Sequence, residues 1–99
     1  MKALDGLTSG RRPSPRRWHK TSYYREKQWK LAVLMLDNWT CQFPGCEANT
    51  HLDAAHIIPR RHLSTRYDPA NGVTLCRGHH EYFHQHPLEW RRFVETWTR

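Results

Sequence analysis

Apolar residues recur at helical spacing in two stretches of this chain, and two shorter apolar runs lie between them. In "YYREKQWKLAVLMLD", residues 23–37, Trp29, Ala32, Val33 and Leu36 follow the i, i+3, i+4, i+7 pattern of a buried helical stripe, with Ser22 as a candidate N-cap. Trp90, Phe93, Val94 and Trp97 repeat that pattern near the other end, and Pro87 suits the first turn of such a helix. "LDAAHIIP" at 52–59 and "VTLC" at 73–76 read as two short strands. The polar stretch 60–72 would bridge them as an antiparallel pair, and "HHEYFHQH" at 79–86 reads as a short helix stopped near Pro87. "CQFPGC" at 41–46 is a Pro-Gly turn between two cysteines, and "NG" at 71–72 reads as a further turn. The order is helix, cysteine turn, strand, loop, strand, helix, helix, a small α+β fold. A two-stranded sheet is weak alone, so it needs a helix packed on it and some other stabiliser.

Length and composition sharpen that need. Ninety-nine residues suggest one domain, and only 37% are hydrophobic. A chain of this size buries about 60–65% of its unfolded surface. Five tryptophans, four tyrosines and three phenylalanines nevertheless argue for a packed aromatic core. Domains this small often add disulfides or a structural metal. The cysteines number three, Cys41, Cys46 and Cys76, and an odd count disfavours a disulfide framework. Neither a signal peptide nor a membrane-length apolar run is found, so the expected setting is the reducing cytoplasm, where clustered cysteines more often hold metal.

A formal net charge of +7 points to a polyanionic partner. Nucleic acid is favoured over an anionic membrane, because neither end carries a basic amphipathic helix with a clean apolar face. Residues 1–20, with Gly6, Gly10, Pro13, Pro15 and "RRPSPRR", read as a flexible basic arm, leaving 21–99 as the folded domain.

The candidate chemistry is concentrated in "NGVTLCRGHHEYFH", which packs one cysteine and three histidines into residues 76–84. Cys41 and Cys46 face each other across a turn, and Cys76 and His79 are separated by two residues. Together they make a Cys₃His set suited to structural zinc. His80 and His84 are i, i+4 on the same helix and share a face. His79 and His80 are consecutive, hence about 100° apart around the axis. One helix can therefore serve two metals on two faces. His56, in the small-residue strand "AAHII", reads on its own either as a satisfied structural histidine or as a group with room for a ligand.

"AAHIIP" with His56, "NGVTLC" with Asn71 and "HHEYFH" with His80 together resemble the HNH endonuclease motif, over roughly residues 29–86, and most closely the small phage and prophage members. The resemblance implies a ββα-metal hairpin-helix core with flanking helices, stabilised by zinc, and metal-dependent hydrolysis of phosphodiester bonds in DNA. It implies His56 as general base, His80 and His84 as ligands of a catalytic divalent metal, and Asn71 either as a metal ligand or as the residue that pins the loop orienting the base. The sequence departs from the family at Ala55, where an Asp or His often ligates the metal, while Asp53 stands where the family often has an acid. Two histidines suit Mn²⁺, Ni²⁺ or Zn²⁺ as well as Mg²⁺.

Arg60, Arg61 and Arg66, between the base and Asn71, are candidate phosphate contacts through their planar forks. Arg91, Arg92 and Arg99 read as solvent-facing. No base-reading helix is recognisable, so nicking with low sequence specificity by a monomer or weak dimer is expected. Phage packaging proteins are candidate partners. The competing reading is a zinc-stabilised DNA-binding module without catalytic activity.

Overall fold

The computed structural model describes residues 15–99, with side chains from Ser22 onward. Helix α1 spans Pro15–Leu36, strand β1 Leu52–His56, strand β2 Gly72–Cys76, helix α2 Arg77–Gln85 and helix α3 Pro87–Thr96. The strands pair antiparallel, with Leu52 opposite Cys76, Asp53 opposite Leu75, Ala55 opposite Val73 and His56 opposite Gly72. This is the α+β order that the hydrophobic pattern predicts, with hairpin and α2 forming a ββα unit flanked by α1 and α3.

Helix α1 begins earlier than its apolar stripe does, so residues 15–20 of the expected arm have helical backbone and Ser22 lies inside the helix rather than capping it. The rest of the expected arm, residues 1–14, lies outside the described residues. The inward face also differs from expectation. Trp29, Val33 and Leu34 are buried, whereas Leu36 is half exposed and Ala32 only partly covered. The face continues through charged residues that an apolar count passes over. Glu26, Lys30 and Asp37 sit at its edges, and each meets a partner on another element. The helix ends in a Schellman-type turn. Asn38 adopts φ 54°, Trp39 N donates to Leu34 O at 2.8 Å, and Asn38 N donates to Met35 O at 3.2 Å.

The core is two-sided. On one side Cys41, Ala55, Val73, Leu75 and Phe83 form a buried cluster, with Phe43, Trp90, Phe93 and Trp97 packed around it. Phe83 anchors α3 through its rings: Trp90 and Phe93 lie 5.3 and 5.1 Å from it, centroid to centroid. Each such apolar side chain contributes roughly 1.5–3 kcal/mol when fully buried. On the other side, α1 lies on the hairpin where β2 starts with Gly72. A Cβ there would collide with Val33 Cγ2 and sit 2.8 Å from Trp29 Cζ2. Gly72 has φ −134°, extended backbone. The Asn-Gly pair is therefore no left-handed turn; its glycine makes room for a helix.

Strand β1 stops at His56, short of the expected Pro59. The chain then runs through successive tight turns, with His62 N, Thr65 N, Asp68 N and Asn71 N donating to Pro59, His62, Thr65 and Asp68 carbonyls. Arg99 corrects the expectation of a solvent-facing side chain. Its guanidinium donates to both oxygens of the buried Asp37 carboxylate, at 2.8 and 3.2 Å, and to Gly72 O at 2.6 Å. Asp37 Oδ2 also accepts from Thr74 N at 2.9 Å. The buried charge is thus fully hydrogen-bonded, as a buried carboxylate must be.

Candidate metal centre and active site

Helix α2 contributes side chains to two clusters, of which one, Cys41, Cys46, Cys76 and His79, has the close convergence of ligand atoms that a metal needs. There the ligand atoms lie within 4.8 Å of one another. The Pro-Gly turn holds the first two. Cys46 N donates to Phe43 O at 2.9 Å and Gly45 takes φ 84°, which only glycine adopts freely at the third position of such a turn. Cys76 ends β2 and His79 lies in the first turn of α2, its Nδ1 3.2 Å from Cys76 Sγ and 3.6 Å from Cys41 Sγ. Phe43 stacks on the His79 ring at 3.9 Å and fixes its plane. Burial pushes the Cys41 thiol up to about 11, whereas the backbone amide of Ala48 pulls Cys46 below the ordinary thiol value. Three sulfurs and one imidazole converging this closely fit tetrahedral zinc.

The second cluster opens onto a groove of about 720 Å³ between α1, β1 and α2. His56 reaches it from β1, and His80 and His84 reach it from α2. The consecutive His79 and His80 therefore point to different sites, as the helix period demands. The His80 and His84 rings are 4.8 Å apart. His80 Nδ1 donates to Asp53 Oδ2 at 3.3 Å, which leaves its Nε2 lone pair free for a cation. Asp53 Oδ1 is also 3.5 Å from Lys30 Nζ.

His56 is held in one orientation. Its Nε2 is 2.9 Å from the Arg66 carbonyl oxygen, and a carbonyl only accepts, so Nε2 carries the proton and Nδ1 keeps a lone pair. One face of the ring stacks on Trp29. Trp29 is itself fixed, since Nε1 donates to Asp68 O at 2.8 Å. Asn71 is buried and uses both ends of its amide. Its oxygen accepts from Ile58 N at 2.7 Å, and its nitrogen donates to Ile58 O at 3.0 Å and Thr65 O at 3.2 Å. Those bonds pin the loop that carries Arg66 to the end of β1.

The loop arginines differ from one another. Arg60 and Arg66 share Glu26 Oε2, at 2.8 and 3.2 Å, and Arg66 also lies 5.3 Å from the Tyr67 ring. Arg60 lines the groove and is half exposed, whereas the Arg66 side chain is only 22% exposed. Arg61 is exposed and has no ion-pair partner among the described residues. Sequence reasoning overlooked the part α1 plays. Trp29, Glu26 and Lys30 all face the groove, a role hidden because Trp29 reads as core and the two charges as a solvated face. Their i, i+4 spacing on either side of Trp29 was the available signal.

Compared with known proteins, residues 41–88 match a family model described as HNH endonuclease. That segment holds all four members of the sulfur cluster, His56, Asn71, His80 and His84. No curated protein and no solved structure matches the chain.

Proposed function

Residues 41–88 place the chain in the HNH endonuclease family, and from that premise we propose that it is a metal-dependent DNA endonuclease that nicks with low sequence specificity and uses His56 as general base. The observation that carries this reading is convergence. His56, Asp53, His80 and His84 line one groove, although they come from a strand and a helix some 24 or more residues apart.

His56 takes the proton of the attacking water at Nδ1. The Arg66 carbonyl holds the other ring nitrogen protonated, and Trp29 keeps the ring from turning. His80 and His84 would hold the divalent cation, with Asp53 orienting His80. When bound, that cation supplies neutralisation of phosphate charge and stabilisation of the departing oxygen. An imidazole-rich set admits Mn²⁺, Ni²⁺ or Zn²⁺ beside Mg²⁺. Asn71 holds the Arg66-bearing loop against the end of β1 rather than ligating metal, since it is buried and does not line the groove. Arg60 and Arg61 contact the nucleic-acid backbone, and Arg66 contributes chiefly by offering its carbonyl to His56. The Cys₃His cluster holds zinc and stabilises the hairpin on which the groove is built.

The test is plasmid nicking scanned over Mg²⁺, Mn²⁺, Ni²⁺ and Zn²⁺, for the parent and for His56→Ala. The parent is expected to convert supercoiled to open-circular DNA only with added metal, and His56→Ala to remain folded and lose the activity. Cutting by His56→Ala at the parent's rate refutes the assignment of the base.

A further inference from the structure

The family segment supplies one wall of the groove; the other wall is α1, which lies upstream of it. Tyr23, Lys27 and Lys30 line the groove from α1 at positions i, i+4 and i+7. That spacing sets them in one row spanning about 10 Å along the helix. Tyr23 is 58% exposed and the Lys30 side chain 43%. Lys27 Nζ lies 3.4 Å from the Tyr23 hydroxyl and 5.4 Å from its ring, so the two stand together. The acids that line the groove already have partners. Glu26 is held by Arg60 and Arg66, and Asp53 by His80 and Lys30. The contact between Lys30 and Asp53 is long, 3.5 Å, and leaves most of the ammonium's hydrogen-bonding capacity unused. Lys27 faces no carboxylate among the salt bridges of the described residues.

We propose that this row is the second wall of a nucleic-acid cleft. A DNA strand lies between α1 and α2, its phosphates on Lys27 and Lys30 and a sugar or base against the Tyr23 ring, with the bond to be cut facing His56. The inference rests on the endonuclease reading, and it adds a substrate-gripping element outside the family segment. Lysine suits the task because an ammonium meets any phosphate oxygen without fixed geometry, which matches binding that ignores sequence. An exposed phenol next to it provides a face on which a base of any kind can stack.

The experiment measures binding with cutting blocked. Zinc-loaded His56→Ala protein, with Ca²⁺ as the added cation, is titrated against a short fluorescein-labelled duplex by anisotropy over a range of salt. K27Q and K30Q are each expected to make the negative slope of log K against log salt shallower by roughly 0.9, and the double variant by roughly 1.8, alike for duplexes of unrelated sequence. K27R and K30R are expected to keep the slope. R92Q, on exposed α3 away from the groove, serves as the control and is expected to leave it unchanged. A double lysine variant with the parental slope overturns the proposal, as does an R92Q loss equal to that of K30Q. If the double variant binds as the parent does and the unblocked chain still nicks plasmid, only the α1 wall is wrong. If the parent neither binds nor nicks, the endonuclease reading fails and takes this one with it.

Discussion

The Trp29 indole and the His56 imidazole lie face to face, ring centroids 3.9 Å apart and planes 8° from parallel. Helix α1 thereby braces the imidazole that β1 carries, the proposed general base. Trp29→Leu keeps an apolar group in the core but removes the flat surface and the bond to Asp68 O. We expect nicking to fall by on the order of tenfold to hundredfold, the scale on which small misplacements of a reacting group act. The fall should appear in kcat more than in KM, with the circular dichroism spectrum retained. A variant that nicks at the parental rate shows that the indole does not position the base.

Asn71 offers a sharper discrimination. Each of its three hydrogen bonds is worth roughly 0.5–1.5 kcal/mol, so Asn71→Ala should lower stability by about 2–4 kcal/mol. Asn71→Asp separates the two roles the sequence leaves open. A metal ligand would tolerate a carboxylate, or gain from it. A residue that donates to the Ile58 and Thr65 carbonyls would not, because a carboxylate has no hydrogen to give. Urea melts are expected to show Asn71→Asp destabilised, with nicking reduced at every metal concentration.

Chelation should unfold the chain. A structural zinc supplies roughly 10–16 kcal/mol of apparent binding free energy, against the roughly 5–15 kcal/mol that keeps an ordinary domain folded. Cys76→Ala and His79→Ala are expected to lose cooperative thermal unfolding, while His84→Ala keeps it and loses only nicking. Atomic absorption on purified protein should find one tightly held zinc.

The sulfur cluster also sets a dependence on pH. The folded chain holds the Cys41 thiol protonated up to about 11, above its ordinary 9.0, because burial disfavours the thiolate. A raised pKa contributes stability below the ordinary value that is lost as pH climbs through the raised one. Cys46, shifted down, acts in the opposite sense. Since the chain without metal is expected not to melt cooperatively, the dependence is read on zinc binding, where the metal must displace the proton on Cys41. Zinc affinity is expected to weaken steadily as pH drops below neutrality, read by competition with a chromogenic chelator.

Gly72 tests the approach of helix to hairpin. A methyl group at this position meets Val33 and Trp29, so Gly72→Ala should cost about 1–3 kcal/mol by overpacking. Val33→Ala is expected to recover part of that loss in the double variant, and a strictly additive result would place the strain elsewhere.

Much of this arrangement was legible before any coordinates. Pro87 marked the start of α3, the Pro-Gly turn marked the first sulfur pair, and the adjacency of His79 and His80 turned one imidazole to the sulfur cluster and the other to the groove by helical period alone. What escaped notice followed from contacts distant in sequence. Nothing near Asp37 announces that Arg99 will cover it. Glu26 reads as a surface charge until Arg60 and Arg66 fold back across it. The glycine after Asn71 suggested a turn because local rules describe backbone freedom, whereas the reason for it is a helix 39–43 residues away in the chain. The carbonyl that fixes the His56 tautomer belongs to Arg66, a residue that drew attention only for its charge.

The placement of His79 and His80 on consecutive rungs of α2 carries a cost in tolerance to change. One inserted residue between them would advance everything downstream by about 100°, swinging His80 and His84 off their wall while leaving the sulfur cage whole. One deleted residue would turn the same pair the other way. The short helix acts as a phase lock between scaffold and chemistry, and its spacing should admit no drift in length even where its exposed side chains vary freely.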